Sequence, residues 1–422
     1  MDVTITPTQT ISGTVTAPSS KAQTHRALFA ALLSNGRTTI QNPLSCDDTQ
    51  ATSNSITSLG AALDITKDRW VVNGSGKPRT PTRAIECGES GVTLRFTVPI
   101  ASLTGAEVQL NCAEALTRRP LEPLIESMRE LGIEVAASSS GVRVRGRSPK
   151  GGSVHIRGDV SSQFISGLLL AGPLMPNGLE LNLSSKLESR GYVSLTVNAM
   201  NHHGIRVEPN NTFTKLSISA GQSYNPATHL IPGDYSSAAF PIVAAAITNS
   251  KILIRGLAKE SNEPDSIITQ ILSRMGIETR YATEGLMVEA GSLKAARVNI
   301  SDCPDLGPVI AVLGCYAEGV TEVVGAGRLR YKESDRFNAI TTELKALGAQ
   351  VTTTEDQLTI RGSTSLKGGS VDSHGDHRIA MALSVAALHA ENPVTIHNAE
   401  CISKSYPAFF NDLRSLGVRV VE

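Results

Sequence analysis

The chain has 422 residues, enough for two or three domains that each bury a core of their own. It carries 39 basic and 39 acidic side chains, so no net charge draws it to a polyanion or a membrane surface. Aromatic residues make up only 4% of the chain, which argues against a base-stacking nucleic-acid surface. No apolar run reaches the roughly 18 residues of a membrane-spanning helix. Any electrostatic function must therefore come from local clusters of charge.

The start of the chain and its cysteines predict a cytoplasmic protein. The opening stretch MDVTITPTQT has neither the charged start nor the apolar centre of a signal peptide. The six cysteines form no CxxC pair and are too sparse for a disulfide framework. We interpret them as buried free thiols of a protein that works in a reducing compartment.

One pattern occurs six times along the chain: an amphipathic helix, a glycine and an alternating strand. Successive glycines are 72 residues apart, except at the last interval, which is 69 residues. The six glycines are Gly60, Gly132, Gly204, Gly276, Gly348 and Gly417. Glycine suits these positions because a helix often ends on a residue with left-handed backbone angles. The pattern indicates six repeated units.

A second set of six helices alternates with the first, and each of them leads into a short β-type run. They are apolar on nearly all sides and rich in Ala, Gly and Ser, which indicates buried helices with close backbone packing. Pro99, Pro241 and Pro308 should start or kink three of them. Their sequences are KAQTHRALFAALLSNG, SGVTLRFTVPIASLTG, SSQFISGLLLAGPLMPNG, DYSSAAFPIVAAAITNS, DLGPVIAVLGCYAEG and GDHRIAMALSVAALHAEN.

The alternation of strands and helices predicts an α/β fold in which helices pack against sheets. Six units divide naturally into two similar lobes of three. Turn sequences that contain proline, at residues 17–21 and 229–234, are natural places for the chain to cross between lobes. We therefore place the N-terminal lobe at residues 20–231 and the C-terminal lobe at residues 1–19 plus 232–422.

Polar and charged residues occur at the starts of helices that should be buried. Ser and Asp at such positions are usually only N-caps. Lys21, Arg26, Arg95 and Arg378 differ, because a cation in the first turns opposes the helix dipole unless an anion binds there. If both lobes point helix starts at one cleft, the ligand is a multiply charged anion or a pair of anions. The alternative is a set of solvated helix ends.

The stretch RYKESDRF, residues 330–337, begins one of the amphipathic helices and holds five charged residues. Ser334 can cap this helix, and Ser334 and Asp335 are expected mostly to cap and order it. Capping does not explain Lys332 and Arg336, which stand four residues apart at the positive end of a helix, so we interpret them as ligands of an anion. Comparable groups at the starts of the other amphipathic helices are Asp47, Asp48, Arg118, Arg119, Ser189, Arg190, Tyr192 and Lys404.

Carboxylates among these cations need an explanation of their own. Asp305 and Glu333 would weaken an anion site if they were passive, and a carboxylate beside cations in a cleft is a candidate for proton transfer. A plain ion pair or helix cap is the alternative. Asp376 is expected to cap its helix or to orient Arg378.

Other chemistries lack their sequence signatures. The chain has no HExxH or CxxC metal motif, no GxxxxGK[ST] or GxSxG motif, and no GxGxxG after a strand. The cysteines do not lie at cation-rich helix starts, so a cysteine nucleophile is not expected. His202 and His203, which precede a helix-ending glycine, are interpreted as surface residues.

Ten segments along the chain, among them DVSSQFISGLLLA, RYKESDRF and HGDHRIAMA, resemble, in family order, the family of 5-enolpyruvylshikimate-3-phosphate synthases. Together, DVSSQ, KESDR and GDHRIAM make the resemblance specific. It implies two lobes, each of three βαβαββ units, in an inside-out α/β barrel. The segments are SSKAQTHRA, CGESGVTLRF, TRRP, DVSSQFISGLLLA, SRGYV, PGDYSSAAF, CPDLGP, RYKESDRF, HGDHRIAMA and CISKSYP.

The resemblance also implies a reaction. The enolpyruvyl group of phosphoenolpyruvate moves to the 5-hydroxyl of shikimate 3-phosphate, and phosphate is released, by addition and elimination through a tetrahedral intermediate. This step belongs to the shikimate pathway, which leads to chorismate and the aromatic amino acids. The resemblance implies no metal or organic cofactor, no nucleic-acid or membrane partner, and a monomer.

Roles for individual residues follow from the resemblance position by position. Asp305 is expected to accept the proton of the attacking hydroxyl. Lys21 and Glu333 are the candidates for proton delivery to the methylene carbon and the leaving phosphate, in an order that stays open. The expected ligands of shikimate 3-phosphate are Lys21, Arg26, Ser161, Ser162, Gln163, Ser189, Tyr192, Asp305 and Lys332. The expected ligands of phosphoenolpyruvate are Lys21, Gly91, Arg119, Gln163, Arg336, Arg378 and Lys404.

The chain departs from the family pattern at four positions. Ala22 stands where the family usually has Ser, so one hydroxyl contact to shikimate 3-phosphate is missing, and Thr24 is a candidate to replace it. Glu89, Val92 and Arg328 replace a common Asn, Thr and Asn. These changes remove no charge that the chemistry needs, but they can shift substrate affinity or the response to inhibitors.

Three other functions fit the sequence less well than enolpyruvyl transfer to shikimate 3-phosphate. A sister enolpyruvyl transferase acts on UDP-N-acetylglucosamine, but its reactive-cysteine loop has no counterpart after TRRP. A non-catalytic sugar-phosphate-binding protein would be expected to lack Lys21, Asp305 or Glu333, and all three are present. An RNA-end phosphate cyclase would need a more basic surface.

Overall fold

The computed structural model describes residues 1–146, 149–362 and 365–422. The chain forms two compact units. The C-terminal unit consists of Met1–Pro18 and Pro232–Glu422, and the N-terminal unit consists of Ser19–Ile231. The chain thus crosses between units after Pro18 and after Ile231, where the sequence analysis placed the lobe boundaries after residues 19 and 231.

The chain begins with two strands of the C-terminal unit, β1 (Val3–Ile5) and β2 (Gly13–Thr16). It then builds the N-terminal unit from three four-stranded sheets, with strand orders β14-β3-β5-β4, β6-β7-β9-β8 and β10-β11-β13-β12. The strands are β3 (Asn35–Gln41), β4 (Ala62–Ile65), β5 (Arg69–Ser75), β6 (Ile85–Glu86), β7 (Glu107–Asn111), β8 (Glu134–Ser138), β9 (Gly141–Arg145), β10 (Gly152–Ile156), β11 (Leu179–Leu183), β12 (Glu208–Pro209), β13 (Lys215–Ile218) and β14 (Thr228–Leu230). The helices are α1 (Lys21–Leu33), α2 (Asp47–Ser58), α3 (Gly91–Ser102), α4 (Glu114–Thr117), α5 (Glu122–Glu130), α6 (Ser162–Ala171) and α7 (Arg190–His202).

The C-terminal unit repeats this plan, with strand orders β2-β15-β17-β16, β18-β19-β21-β20 and β22-β23-β1-β24. Its further strands are β15 (Ile252–Arg255), β16 (Thr279–Ala282), β17 (Gly285–Val288), β18 (Arg297–Asn299), β19 (Val320–Val324), β20 (Gln350–Thr353), β21 (Gln357–Arg361), β22 (Gly369–Asp372), β23 (Val394–His397) and β24 (Val420–Val421). Its helices are α8 (Tyr235–Ile247), α9 (Ile268–Arg274), α10 (Gly307–Tyr316), α11 (Arg336–Ala346), α12 (His377–Ala387) and α13 (Phe409–Ser415).

All six sheets have the same topology. The first two strands in each order run parallel, and the third and fourth are each antiparallel to the strand before them. The same holds in the C-terminal unit, where β1 and β2 complete two of the sheets. The predicted α/β fold of six repeated units, three to each half of the chain, is confirmed.

The Ala-rich helices form the interior of each unit. All residues of α8 are buried, and α8, α10 and α12 contact one another. In the N-terminal unit, α3 packs against α1 and α6. Buried helices enclosed by sheets and amphipathic helices are the inside-out arrangement that the family resemblance implies. Pro99 and Pro241 lie inside α3 and α8, and Pro308 lies in the first turn of α10.

The repeated glycines end their helices as predicted. All six have a positive φ, between 77° at Gly132 and 103° at Gly60. At Gly276 a β-carbon would also lie 2.4 Å from the backbone oxygen of Ser292. Only glycine adopts this conformation at low cost, so the sequence period reports a real backbone repeat.

Within the described ranges, no helix is both long and apolar enough to cross a membrane.

The prediction that His202 and His203 are both surface residues is wrong for His203. Its side chain is fully buried, and its Nδ1 donates to the backbone oxygen of Asn225 at 2.6 Å. Its Nε2 faces Nε2 of His229 at 2.8 Å. His229 lies on β14, which completes the sheet of β3, so a strand distant in sequence covers the helix end. Burial lowers the pKa of His203 to about 4 and that of His229 to about 3.

We predict that the protein loses stability as the pH falls from 7.5 to 5.0, partly through these two histidines. Their folded pKa values lie below the unfolded value of about 6.5, so the unfolded state binds protons that the folded state excludes. Each histidine can remove up to about 2 kcal/mol over this interval. Urea unfolding at both pH values should show a smaller loss in His229→Gln than in the parent protein. His389→Gln, at an exposed position, is the control. An equal loss in all three proteins would contradict the prediction.

Candidate active site

Charged side chains gather near helix starts in both units, and each unit is described by itself. The N-terminal cluster consists of Lys21, Arg26, Gly91, Arg95, Arg119, Ser161, Ser162, Gln163, Ser189 and Tyr192. The C-terminal cluster consists of Asp265, Asp305, Lys332, Glu333, Arg336, Asp376, Arg378 and Lys404.

The start of α1 contributes two cations to the N-terminal cluster. Ser20 caps the helix, and Nζ of Lys21 lies 2.7 Å from Oδ2 of Asp48 on α2. The buried Arg26 donates from Nε to Oγ1 of Thr196 and from Nη2 to the backbone oxygen of Tyr192, both at 2.8 Å. Arg26 thereby ties α1 to α7, and the two residues predicted to bind one substrate, Arg26 and Tyr192, are brought together.

The start of α3 is crowded by two guanidinium groups. A β-carbon on Gly91 would lie 2.9 Å from Nη1 of Arg119 and 3.3 Å from Nη1 of Arg95, so a larger residue would displace them. Nη1 of Arg95 also donates to Oε1 of Gln163 at 2.7 Å. The structure thus brings together three predicted ligands, Gly91, Arg119 and Gln163. Arg95, which the sequence marked only as a cation at a helix start, joins them.

The helix starts of α6 and α7 carry the predicted serines. Ser161 caps α6 by accepting from the backbone nitrogen of Gln163, and Ser162 is buried in the first turn. Ser189 precedes α7 with a left-handed φ of 54°. A residue other than glycine in this conformation is strained, and such residues concentrate at functional sites.

A buried chain of side-chain hydrogen bonds supports the start of α3, and sequence reasoning missed it. Nδ1 of His25, on α1, lies 2.7 Å from Oγ1 of Thr52, which lies 2.7 Å from Oγ1 of Thr93. Thr93 then donates to Oγ of Ser90, the N-cap of α3, at 2.7 Å. Burial, with Lys21 nearby, lowers the pKa of His25 well below its usual range, so the imidazole is neutral. The only sequence signal was a polar residue inside an apolar helix.

The C-terminal cluster is built around Arg336, whose side chain is only 1% exposed. Its Nε donates to Oδ2 of Asp376 at 2.7 Å, and its Nη1 donates to Oδ1 of Asp305 at 2.9 Å. Its Nη2 donates to the carboxylate of Glu333. One buried guanidinium thus holds three carboxylates, including the two predicted to transfer protons.

Asp305 is the second centre of this cluster. It accepts from Nζ of Lys332 at 3.1 Å and lies 3.3 Å from Nη2 of Arg378. Burial favours the neutral acid, but Arg378, Lys332 and Arg336 together hold the pKa of Asp305 well below its usual range. The carboxylate is therefore ionised at neutral pH and can accept a proton.

Two neighbours of Asp305 have pKa values close to neutrality. Burial lowers the pKa of Lys332 to about 8, although the charge of Asp305 opposes this. Burial, followed by the negative charge of Asp305, raises the pKa of Asp265 to about 7. Asp265 is fully buried and accepts a hydrogen bond from Ser236. Sequence reasoning did not select Asp265, because it lies in a 3₁₀ turn, Pro264–Ile267, without a recognisable motif.

The structure decides between the capping roles considered for Ser334, Asp335 and Asp305. Asp335, not Ser334, caps α11, and Ser334 instead donates to Oδ2 of Asp376. Asp305 does not cap α10, because it lies in a preceding 3₁₀ turn, Pro304–Leu306. The proximity of Asp376 explains why Ser334 does not cap α11, since it draws the Ser334 hydroxyl away from the helix.

Asp376 caps α12, as predicted, by accepting from the backbone nitrogen of Arg378 at 2.9 Å. Its other oxygen binds Arg336, whereas the guanidinium of Arg378 turns to Asp305. The orienting role expected for Asp376 is therefore exerted on Arg336.

Two cations predicted at helix starts lie elsewhere. Arg119 lies in the loop between α4 and α5, before α5 begins at Glu122. Lys404 is the last residue of a 3₁₀ helix, Ala399–Lys404, and its Nζ donates to the backbone oxygen of Gly375 at 2.8 Å. Neither residue therefore lies in the first turn of a helix.

The departures from the family pattern can also be located. Ala22 is half-buried in the first turn of α1. The hydroxyl of Thr24, the candidate to replace the missing contact, is buried; it donates to the backbone oxygen of Ser20 and accepts from the backbone nitrogen of Leu44. Arg328 lies in the 3₁₀ helix Gly327–Tyr331 and contacts the backbone oxygen of Ser301.

We predict that Asp376→Asn lowers the free energy of unfolding by about 2 kcal/mol, because asparagine keeps the cap of α12 but removes a buried charge from Arg336. Urea unfolding measures the loss. Asp335→Asn is the matched control, since it changes an exposed N-cap in the same way and should cost less than about 0.5 kcal/mol. Equal losses in the two variants would contradict the importance assigned to the buried cluster.

Comparisons with known proteins agree on one family. A family model described as EPSP synthase (3-phosphoshikimate 1-carboxyvinyltransferase) matches residues 5–413. A relative named 3-phosphoshikimate 1-carboxyvinyltransferase from Methanothermobacter thermautotrophicus is 38% identical over 429 residues, which cover 100% of this chain and 99% of the relative. A relative of the same name from Clostridium kluyveri is 37% identical over 422 residues, covering 100% and 98%.

Solved structures lead to the same family. The EPSP synthase of Acinetobacter baumannii superimposes on the chain with a TM-score of 0.83 and 26% sequence identity, and all of both chains is covered. The resemblance noted from short segments thus extends over the full length in both sequence and fold. The chain belongs to the EPSP synthase family.

Proposed function

We propose that the residues of the two clusters carry out the reaction of this family. In that reaction the enolpyruvyl group of phosphoenolpyruvate is transferred to the 5-hydroxyl of shikimate 3-phosphate, and phosphate is released. The step serves the shikimate pathway towards chorismate and the aromatic amino acids. The observation that supports our proposal most strongly is the ionised Asp305 beside Lys332, Arg336 and Arg378, since it combines a proton acceptor with cations.

The N-terminal cluster is proposed to bind shikimate 3-phosphate. Ser161, Ser162 and Ser189 would hold its phosphate, because hydroxyls and backbone nitrogens at helix starts suit a dianion. Arg26 and Tyr192 would hold the remainder, with Gln163 along the ring. Lys332 and Asp305 of the C-terminal cluster would complete this set. The helix starts and the strained backbone of Ser189 support the assignment.

Phosphoenolpyruvate is proposed to be held by guanidinium and ammonium groups. Arg119, Arg336 and Arg378 suit the carboxylate and phosphate because a guanidinium binds such groups through two parallel hydrogen bonds. Gly91 would allow its backbone to approach the ligand. The remaining ligands in this proposal are Lys21, Gln163 and Lys404.

The proton transfers would proceed in two stages. In the addition, Asp305 takes the proton of the 5-hydroxyl, the oxygen bonds to C2 of phosphoenolpyruvate, and the methylene carbon gains a proton from Lys21 or Glu333. In the elimination, the methyl group loses a proton and phosphate leaves, which restores the double bond. Cations that are already held in position before the reaction would stabilise the charge that develops on the tetrahedral intermediate.

We also propose that the chain works as a monomer in the cytoplasm. The six free cysteines support a reducing compartment, because an oxidising one favours disulfides.

We predict that Asp305→Asn and Glu333→Gln each lower kcat by at least about 100-fold, because each removes a proton-transfer group. The measurement is phosphate release from phosphoenolpyruvate with shikimate 3-phosphate as acceptor, and with UDP-N-acetylglucosamine in a parallel reaction. Glu355→Gln, at an exposed position, should retain full activity.

The outcomes of this assay separate the alternatives. Release only with UDP-N-acetylglucosamine would overturn the assigned acceptor. Tight binding of shikimate 3-phosphate without phosphate release would indicate a binding protein. Activity retained in Asp305→Asn would remove that residue from the proton-transfer role.

We predict that Ala22→Ser lowers KM for shikimate 3-phosphate about fivefold, because the restored hydroxyl adds one hydrogen bond worth about 1 kcal/mol. Steady-state kinetics at saturating phosphoenolpyruvate test this. Ala22→Gly, which adds no hydroxyl, should not lower KM. An unchanged KM in Ala22→Ser would show that another group already occupies the position.

A further inference from the structure

Two cysteines outside both clusters lie side by side in one sheet. Cys87 follows β6, and Cys112 follows β7. The parallel register pairs Ile85 with Leu110 and Glu86 with Asn111. The backbone nitrogen of Cys87 continues the ladder by donating to the oxygen of Asn111 at 2.9 Å, so the next pair in register is Cys87 with Cys112.

The two thiols also interact, and their environments differ. Cys87 is fully buried, whereas Cys112 is partly exposed. The side-chain hydrogen bond between them raises the pKa of Cys87, as does burial, and lowers the pKa of Cys112. Cys112 is therefore the thiol that ionises first, and the thiolate is the reactive form of cysteine.

Cys112 can be reached by a small molecule. It lines a cavity of about 30 Å³ together with Arg95, Arg119, Leu94 and Leu116. A cavity of roughly 10–15 Å³ holds one water, so this cavity has room for a molecule of two heavy atoms such as hydrogen peroxide.

The spacing of the strands suits a bond that forms and reopens. Neighbouring strands lie about 4.8 Å apart, and the β-carbons of a disulfide lie about 3.5–4.5 Å apart. The disulfide can therefore form if the ends of β6 and β7 move slightly closer together. The residues that follow keep the strand ends adjacent, since the backbone oxygen of Gly88 accepts from the backbone nitrogen of Ala113 at 2.9 Å. A bond that needs such an approach is more easily reduced.

We propose that Cys87 and Cys112 are a redox modification site that closes to a reversible disulfide. The Cys112 thiolate attacks hydrogen peroxide, which breaks the O–O bond and leaves a sulfenic acid on Cys112 and hydroxide. The Cys87 sulfur then bonds to the Cys112 sulfur, and the sulfenic oxygen leaves as water. The two thiols lose two hydrogen atoms in total, and the peroxide becomes two waters. A dithiol reopens the bond by thiol–disulfide exchange.

The bond would act on the start of α3. Cys87 lies four residues before Gly91, and Cys112 shares its cavity with Arg119. Drawing the two strand ends together displaces these groups, and displacements on the order of 1 Å can cost 100-fold in catalysis. Oxidation therefore raises KM for phosphoenolpyruvate at least about fivefold, an effect that rests on the proposed function of Gly91 and Arg119.

Peptide mapping tests the site independently of activity. The full-length protein is treated with hydrogen peroxide, alkylated under denaturing conditions and digested without reductant. We expect a cross-linked peptide that contains Cys87 and Cys112, and its disappearance after treatment with dithiothreitol. The six cysteines should fall to four alkylatable thiols. Unchanged thiol numbers, or oxidation of Cys112 to a sulfinic acid without a cross-link, would overturn the proposal.

Matched variants separate the pair from the other thiols. Cys112→Ser should abolish the loss of thiols, whereas Cys315→Ser should leave the cross-link unaffected. Cys315 is a suitable control because its thiol donates to the backbone oxygen of Ala311, a bond that serine can keep. In the activity assay, the KM of the oxidised parent should rise and recover with dithiothreitol. A cross-linked protein with unchanged KM would overturn the coupling to α3, while an inactive reduced protein would count against the proposed function.

Discussion

The burial of the Arg336 guanidinium is the constraint on which the C-terminal cluster depends. Removing a cation from water costs several kcal/mol unless partners replace the lost hydration. Here those partners are Asp305, Glu333 and Asp376. They come from the turn before α10, the loop before α11 and the cap of α12, so one ionic group fixes three helix starts. Asp305, held in this way, also lies within ion-pair distance of Lys332 and Arg378.

In the N-terminal cluster, two buried arginines connect helices through hydrogen bonds. Arg26 links α1 to α7 through the Thr196 hydroxyl and the Tyr192 backbone, and Arg95 links α3 to α6 through Gln163. The hydrogen-bonded side chains from His25 through Thr52 and Thr93 to Ser90 support the start of α3.

Asp305, the proposed proton acceptor, and Lys332, a proposed ligand of shikimate 3-phosphate, have pKa values that are shifted by opposing causes. Cations keep Asp305 ionised despite its burial, whereas burial brings the pKa of Lys332 to about 8 despite its carboxylate partner. A proton acceptor and a cation that can release a proton therefore lie 3.1 Å apart. Close control of both charges requires a rigid framework, and the six repeated units, each with an identical sheet topology, provide one.

The sequence by itself determined the repeat and the burial of the helices, because both depend on local properties. A glycine with positive φ and a helix apolar on all sides can be recognised within a few residues. Only the tertiary structure decided which side chains meet. Asp376 accepts a hydrogen bond from the hydroxyl of Ser334, β14 covers His203, and the parallel register of β6 and β7 pairs Cys87 with Cys112. These contacts join segments 25 to 42 residues apart in the sequence. Their partners depend on packing between elements, which composition, periodicity and capping rules do not encode.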